Sequence, residues 1–195
     1  MYQKYVKRFL DIIFSLILIP ILIIVFIPVA IIIKLDDRGP VFYKGKRLGY
    51  KMTKFNMYKF RTMKVGAPDI RNKDGSTYNS ESDPRLTRIG RVLRKTSIDE
   101  LPQIYNVLIG DMSFVGPRPS PLGNEKKYTK EYLKKFDVKP GITGYNQATL
   151  RNSATMEQRI KNDLYYVENI SFLFDLKILI WTLKSVLLQK NIYRR

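Results

Sequence analysis

The chain has 195 residues, 45% of them hydrophobic, and carries 35 Lys and Arg against 17 Asp and Glu, a formal net charge of +18. It contains neither Cys nor His, which excludes disulfides, thiolate nucleophiles, zinc–thiolate sites and the commonest general base. Any chemistry has to come from Asp, Glu, Lys, Arg, Tyr, Ser or Thr, and the charge balance implies a polyanionic partner: nucleic acid, an anionic membrane surface or phosphorylated substrates.

Residues 12–33, IIFSLILIPILIIVFIPVAIII, hold no charge and a single hydroxyl, Ser15. As a straight helix this run would measure roughly 33 Å, against a hydrocarbon core of about 30 Å, and no small-residue cleavage site marks it as a signal peptide. Pro20 and Pro28 each remove a backbone donor and favour a kink. Lys4, Lys7 and Arg8 precede the run, and Lys34, Arg38, Lys44, Lys46 and Arg47 follow it; Lys/Arg-rich flanks stay on the cytoplasmic side. Two basic flanks suit a re-entrant helix that bends at a proline and comes back out; a plain span with a short translocated N-terminus is the other option. Residues 1–38 are thus expected to form a membrane-inserted unit, and residues 39–195 one cytoplasmic domain of a size that supports a core. Asp11, within helical reach of Lys7 and Arg8, reads as a surface ion pair.

Val41–Tyr43, a turn over Lys44–Lys51 and a strand over Phe55–Met63 read as a β-hairpin. Its Lys54, Lys59 and Arg61 alternate with aromatic residues, as on nucleic-acid platforms, but beside a membrane segment they read as an interfacial surface. Residues 66–84, rich in Gly, Pro, Asn, Asp and Ser, predict a mobile loop, either a lid or a disordered connection. Arg85, Arg88, Arg91 and Arg94 recur every three residues between apolar positions and predict an amphipathic helix with a cationic face toward lipid phosphates. Further on, a basic helix is expected at about 125–136, a turn at Pro140–Gly144, and helices at about 154–168 and 172–188. The last is apolar on most faces and suits a core or membrane-surface role.

The stretch Arg91–Pro119, RVLRKTSIDELPQIYNVLIGDMSFVGPRP, concentrates the chemistry. Ser97-Ile98-Asp99-Glu100 fits a capping box, yet Pro102 lacks the N–H that such a helix would need, so the helix starts either at Ser97 or at Asp99. Either way an adjacent carboxylate pair sits at a helix N-terminus among cations, where carboxylates are stabilised and phosphate or metal-phosphate is also favoured. Capping and catalysis both remain open for the pair. In catalysis, one carboxylate attacks phosphorus while its neighbour handles a proton or helps hold Mg²⁺. In Gly116-Pro117-Arg118-Pro119, two prolines fix the backbone around a guanidinium suited to phosphate.

Taken together, Lys7-Arg8 with Asp11, Tyr58–Met63, Asp83-Pro84-Arg85, Asp99–Gln103, Asn106-Val107-Leu108, Gly110–Ser113, Gly116–Pro119, Pro140–Gly144, Arg151-Asn152, Tyr165–Val167 and Asp175–Lys177 resemble the small monotopic phosphoglycosyl transferases. This is the bacterial sugar transferase family, and the match covers nearly the whole chain. The resemblance implies an α+β, mostly α fold, with a re-entrant N-terminal membrane helix packed on a small domain that carries interfacial helices and a β-hairpin. It also implies a ping-pong reaction at the cytoplasmic face of the bacterial inner membrane, starting polysaccharide or glycoconjugate assembly. Asp99 would attack the β-phosphate of a UDP-sugar, expel UMP, and pass the phosphosugar to undecaprenyl phosphate. Glu100 would complete the catalytic pair, Mg²⁺ would be the cofactor with Asp99 its ligand, and Arg94, Arg118 and Arg151 would contact phosphate or nucleotide. Anionic lipids are the other expected partner and nucleic acid is not; a membrane-anchored basic binding module without catalysis is the competing reading. Two departures stand out: Pro20 and Pro28 straddle the place where relatives carry a central Ser-Pro, and Tyr145–Leu150 replaces the usual run before the arginine, here Arg151.

Overall fold

A computed structural model describes residues 1–72 and 78–188. After an N-terminal turn, α1 runs unbroken from Lys7 to Asp37 with Pro20 and Pro28 inside it. Ile17, Ile21, Ile24, Ile27, Ile31 and Leu35, spaced three or four residues apart, form an exposed apolar stripe along α1. Such a stripe is suited to lipid contact. On the opposite face Val29 and Ile33 are buried in a cluster with Phe60 and Leu93.

Both ends of α1 are fastened to the same body. At its start Arg8 donates to the Val107 and Leu108 carbonyls at 2.6 and 2.7 Å, and Asp11 accepts from Ser113 Oγ and Phe114 N, each at 3.1 Å. At its end Asp36 accepts from Ile89 N at 3.1 Å, and Asp37 pairs with Arg61. A helix that spanned the bilayer would have its two ends about 30 Å or more apart on opposite faces. Both ends of this one contact the same domain, yet the helix runs continuously through Pro20 and Pro28, without the break at a proline that the re-entrant reading expects. Asp11 is not a surface ion pair: it is buried, and Lys7 pairs instead with Asp175.

The hairpin consists of β1 (Phe42–Leu48) and β2 (Lys54–Phe60), antiparallel with Phe42 opposite Phe60 and Leu48 opposite Lys54. β1 is longer and the turn shorter than the sequence suggests, since Lys44–Leu48 pairs rather than loops, whereas β2 stops at Phe60 instead of Met63. Asn106, fully buried, accepts from Tyr58 N at 3.0 Å and donates to the Asn56 carbonyl at 2.7 Å. Its amide thereby supplies backbone partners along the β2 edge. The edge of β1 away from β2 pairs with the two-residue β4 (Ser120–Pro121).

Next come α2 (Arg88–Thr96), α3 (Gln103–Ile109) and β3 (Ser113–Val115). Arg85 does not join the cationic face of α2: it is buried and paired with Asp83 at 2.7 Å. From there its guanidinium donates to the Pro68 and Tyr78 carbonyls, clasping the two sides of the loop that was expected to be mobile. The tip of that loop, residues 73–77, lies outside the described residues. The expected basic helix is broken into short turns around α4 (Lys130–Leu133). The expected turn at Pro140–Gly144 holds a strand, β5 (Gly141–Thr143), parallel to β3. The chain finishes with α5 (Tyr145–Thr149), α6 (Met156–Glu168) and α7 (Phe172–Leu187), the last two as expected.

Gly90 lets α2 lie directly on the strand leaving the hairpin: a Cβ there would sit 1.9 Å from the Thr62 carbonyl oxygen. Replacing it by Ala forces the helix away, at a cost of about 1–3 kcal/mol by overpacking. In thermal unfolding of the purified protein, Gly90→Ala is expected to melt roughly 3–10 °C lower; an unchanged Tm contradicts the packing.

Candidate active site

The carboxylate pair lies in a sharp corner between α2 and α3. Ser97 adopts the left-handed conformation (φ 61°) as α2 ends, Ile98–Glu100 form a single 3-10 turn, and α3 starts only at Gln103, after Pro102. The capping box does not form, and the helix begins at neither Ser97 nor Asp99. Ser97 makes no side-chain cap; its Oγ accepts from Arg151 Nη2 at 2.9 Å. Pro102, with no N–H to offer the Ile98 carbonyl, accounts for the delay.

Asp99 and Glu100 face a cavity of about 980 Å³, and Arg94, Arg118 and Arg151 line the same space. All five residues singled out in the sequence therefore meet. Their environments differ. Glu100 is held by Lys59 Nζ at 2.5 Å and by Arg118 Nη2 at 3.4 Å. Asp99 is 6% exposed, and among the described residues no hydrogen bond or ion pair engages its carboxylate. Arg94 is steadied by Thr62 Oγ1, which accepts from its Nε at 3.0 Å. Arg151 reaches from Ser97 to the Ser185 carbonyl on α7, at 3.5 Å.

The Arg118 loop is set by backbone proximity. Gly116 N donates to the Thr143 carbonyl at 2.8 Å, and Gly141 N to the Pro117 carbonyl at 3.0 Å. A Cβ on Gly141 or Gly144 would lie 2.1 Å from Gly116 backbone atoms, so the crossing admits no side chain. Lys135, buried against Asp163 at 2.9 Å, donates to the Arg118 carbonyl at 3.2 Å.

Residues 2–189 match the family model described as "Bacterial sugar transferase". The chain belongs to the bacterial sugar transferase family. It is 40% identical over 186 residues to the "Uncharacterized sugar transferase EpsL" of Bacillus subtilis, covering 95% of this chain and 89% of that one. It is 44% identical over 194 residues to the "Galactosyl transferase CpsE" of Streptococcus agalactiae, covering 93% of this chain but 42% of the relative. With the Escherichia coli "UDP-glucose:undecaprenyl-phosphate glucose-1-phosphate transferase" it shares 36% identity over 199 residues, 98% of this chain and 42% of the other.

In this transferase the two acids are driven apart electrostatically. Burial pushes Asp99 above the usual carboxylate range, and the neighbouring Glu100 charge adds to this, while Lys59, Arg94 and Arg118 oppose it. For Glu100, burial also acts upward but is outweighed by Lys59, Arg118 and Arg151, which hold it below the usual range. A desolvated carboxylate with a raised proton affinity, beside one that stays ionised, is an arrangement that divides two chemical roles. Arg47 adds a further cation to the cavity wall, with Arg118 and Arg71 near enough to lower its proton affinity after burial has done so.

Lys59 was not singled out as a site residue. Its signal was present in the Tyr58–Met63 motif, where it read as part of an interfacial surface; the pairing of β2 with the acid corner could not be seen in the linear sequence. Gln103 was likewise passed over, although its buried Nε2 lines the cavity without a hydrogen-bond partner. Because Lys59 lowers the proton affinity of both acids, its removal raises both. Lys59→Met is therefore expected to move the acid limb of the transferase pH–rate profile to higher pH; an unmoved limb contradicts this electrostatic role.

Proposed function

We propose that the chain transfers a sugar phosphate from a UDP-sugar to undecaprenyl phosphate by way of an acyl phosphate on Asp99, releasing UMP. The carrying observation is the asymmetry of the pair: Glu100 is pinned by Lys59 and Arg118, whereas Asp99 is buried, unpinned and open to the cavity. With no His or Cys in the chain, a carboxylate is the natural nucleophile toward phosphorus. The relative from Escherichia coli is named for UDP-glucose and undecaprenyl phosphate, and one from Aeromonas hydrophila for UDP-N-acetylgalactosamine and undecaprenyl phosphate.

In the first half-reaction a carboxylate oxygen of Asp99 attacks the β-phosphorus of the donor. The bond from that phosphorus to the bridging oxygen breaks, and UMP leaves with the oxygen. In the second, a phosphate oxygen of the lipid attacks the same phosphorus; the bond to Asp99 breaks and the carboxylate is restored. Arg94, Arg118 and Arg151 bind the phosphate oxygens and offset charge on the phosphorus in flight. Glu100, kept ionised, holds Lys59 and Arg118 at the cavity wall.

Mg²⁺ suits this donor set. Among the described residues no group of three or more acids forms a closed cage, and Mg²⁺ commonly takes one or two carboxylates together with substrate phosphates. Asp99 would hold it, since Glu100 is occupied by two cations. Bound there, it would neutralise phosphate charge and orient the diphosphate. The basic flanks of α1 support a domain on the cytoplasmic side of the inner membrane, with anionic lipid headgroups beside it.

Asp99→Asn is expected to lower UMP release from UDP-sugars in the presence of membranes and Mg²⁺ by roughly a thousandfold or more, and to leave no phosphosugar attached to the protein. Undiminished release by the variant overturns the nucleophile assignment. Chelation of Mg²⁺ is expected to stop release and also to weaken binding of a non-hydrolysable UDP-sugar analogue, read by calorimetry.

A further inference from the structure

α1 and α7 begin side by side. Lys7 pairs with Asp175, Tyr2 OH donates to the same carboxylate at 2.6 Å, and the Tyr2 and Phe172 rings meet edge to face at 6.2 Å. About 11 residues beyond that ion pair on each helix, roughly 16 Å along at 1.5 Å per residue, Leu18 of α1 and Val186 of α7 both line the cavity that holds Asp99. Phe114 and Ile142, from β3 and β5, line it as well. The outward faces of the two helices are apolar and exposed here, with Ile17 and Ile21 on α1 and Leu183 and Leu187 on α7.

We propose that the seam between α1 and α7 is where the acceptor lipid enters: its polyprenyl chain lies between Leu18 and Val186, and its phosphate reaches Asp99 past Arg151 and Gln103. The occupant follows from a change of chemistry along the cavity. Leu18, Phe114, Ile142 and Val186 give part of its wall an apolar lining, which a nucleotide sugar has no use for. Arg94, Arg118 and Arg151 make another part cationic and rich in donors. Arg151 is tied there to the α7 backbone at Ser185 and to Ser97, two residues from the nucleophile. Gln103 is 2% exposed, and its Nε2 lacks a hydrogen-bond partner while lining the same cavity. A buried donor left unsatisfied carries a cost that a ligand phosphate oxygen would remove. An apolar tail carrying one anionic head matches both parts. The soluble donor is left the part of the cavity lined by Arg47, Arg71 and Tyr78.

This inference rests on the two-step reading above, and the two half-reactions test them separately. Exchange of labelled UMP into UDP-sugar needs no acceptor; transfer to undecaprenyl phosphate needs both substrates. With the full chain in nanodiscs, Val186→Trp, which fills the seam, is expected to keep exchange within twofold of the parent. Transfer at limiting acceptor is expected to fall at least tenfold, with a raised KM for the lipid. Transfer equal to the parent's overturns the seam. A polyprenyl phosphate with a diazirine on its first isoprene unit, photolysed with the parent protein, should label the α1 segment holding Leu18 or the α7 segment at residues 182–186. Label confined to the β1–β2 hairpin overturns the proposal, and the label alone decides if Val186→Trp loses exchange as well. A parent protein that transfers sugar phosphate without any exchange would sink the acyl-phosphate reading and leave the seam standing on the label.

Discussion

The structure depends on the polar fastening of α1. A lipid-exposed apolar helix gains little from the hydrophobic effect by leaving lipid for protein, because lipid tails are as apolar as the surface it would pack on. Leu22, Val25 and Phe26 pack well against the hairpin cluster, but such contacts do not by themselves select one position along the helix. Directional contacts do. Arg8 and Asp11 engage α3 and β3 at one end, while Asp36 and Asp37 engage α2 and Arg61 at the other. Buried ionic contacts add modest net stability, yet removing one partner is expensive because the other is left uncompensated. Their value here is geometric. They hold the helix across a domain whose acid corner must face lipid and water at once.

The same logic operates inside the cavity, with the opposite outcome for one residue. Nearly every buried charge in the domain is paired: Asp83 with Arg85, Asp163 with Lys135, Asp175 with Lys7. Asp99 departs from that pattern. The chain brings Lys59 and Arg118 to Glu100 and leaves its neighbour in a buried, cationic surround. The cost of an unpaired buried acid is tolerated where a reactive group is needed, and the charges of Lys59, Arg94 and Arg118 limit it.

Much of this was legible in the sequence, and most of the parts that were not share a cause. The apolar run and the two C-terminal helices were readable because each is signalled locally, by hydropathy or periodicity; Asp99, Glu100, Arg94, Arg118 and Arg151 came from motifs and a family resemblance, and the structure brings them to one cavity. All but one of the failures involve tertiary partners. Asp11 looked like a surface ion pair because Lys7 is nearby in sequence, but Ser113 and Phe114 are nearer in space. Arg85 fell on the three-residue repeat of α2, yet Asp83 holds it back. Gly141–Thr143 read as a turn because glycine is common in turns; here it lets a strand pass against Gly116. The capping box at Ser97 had the right residues and lost to Pro102.

The two-ended attachment of α1 also bears on sidedness. Were α1 to stay in one leaflet, the domain would have one aqueous face, and whatever is joined to the lipid would be joined on that side. The sugar then carries its hydroxyls on that side, and a polar headgroup does not cross about 30 Å of hydrocarbon unaided. Delivering the product to the opposite face would then be a separate transport step, requiring a device that opens to both sides.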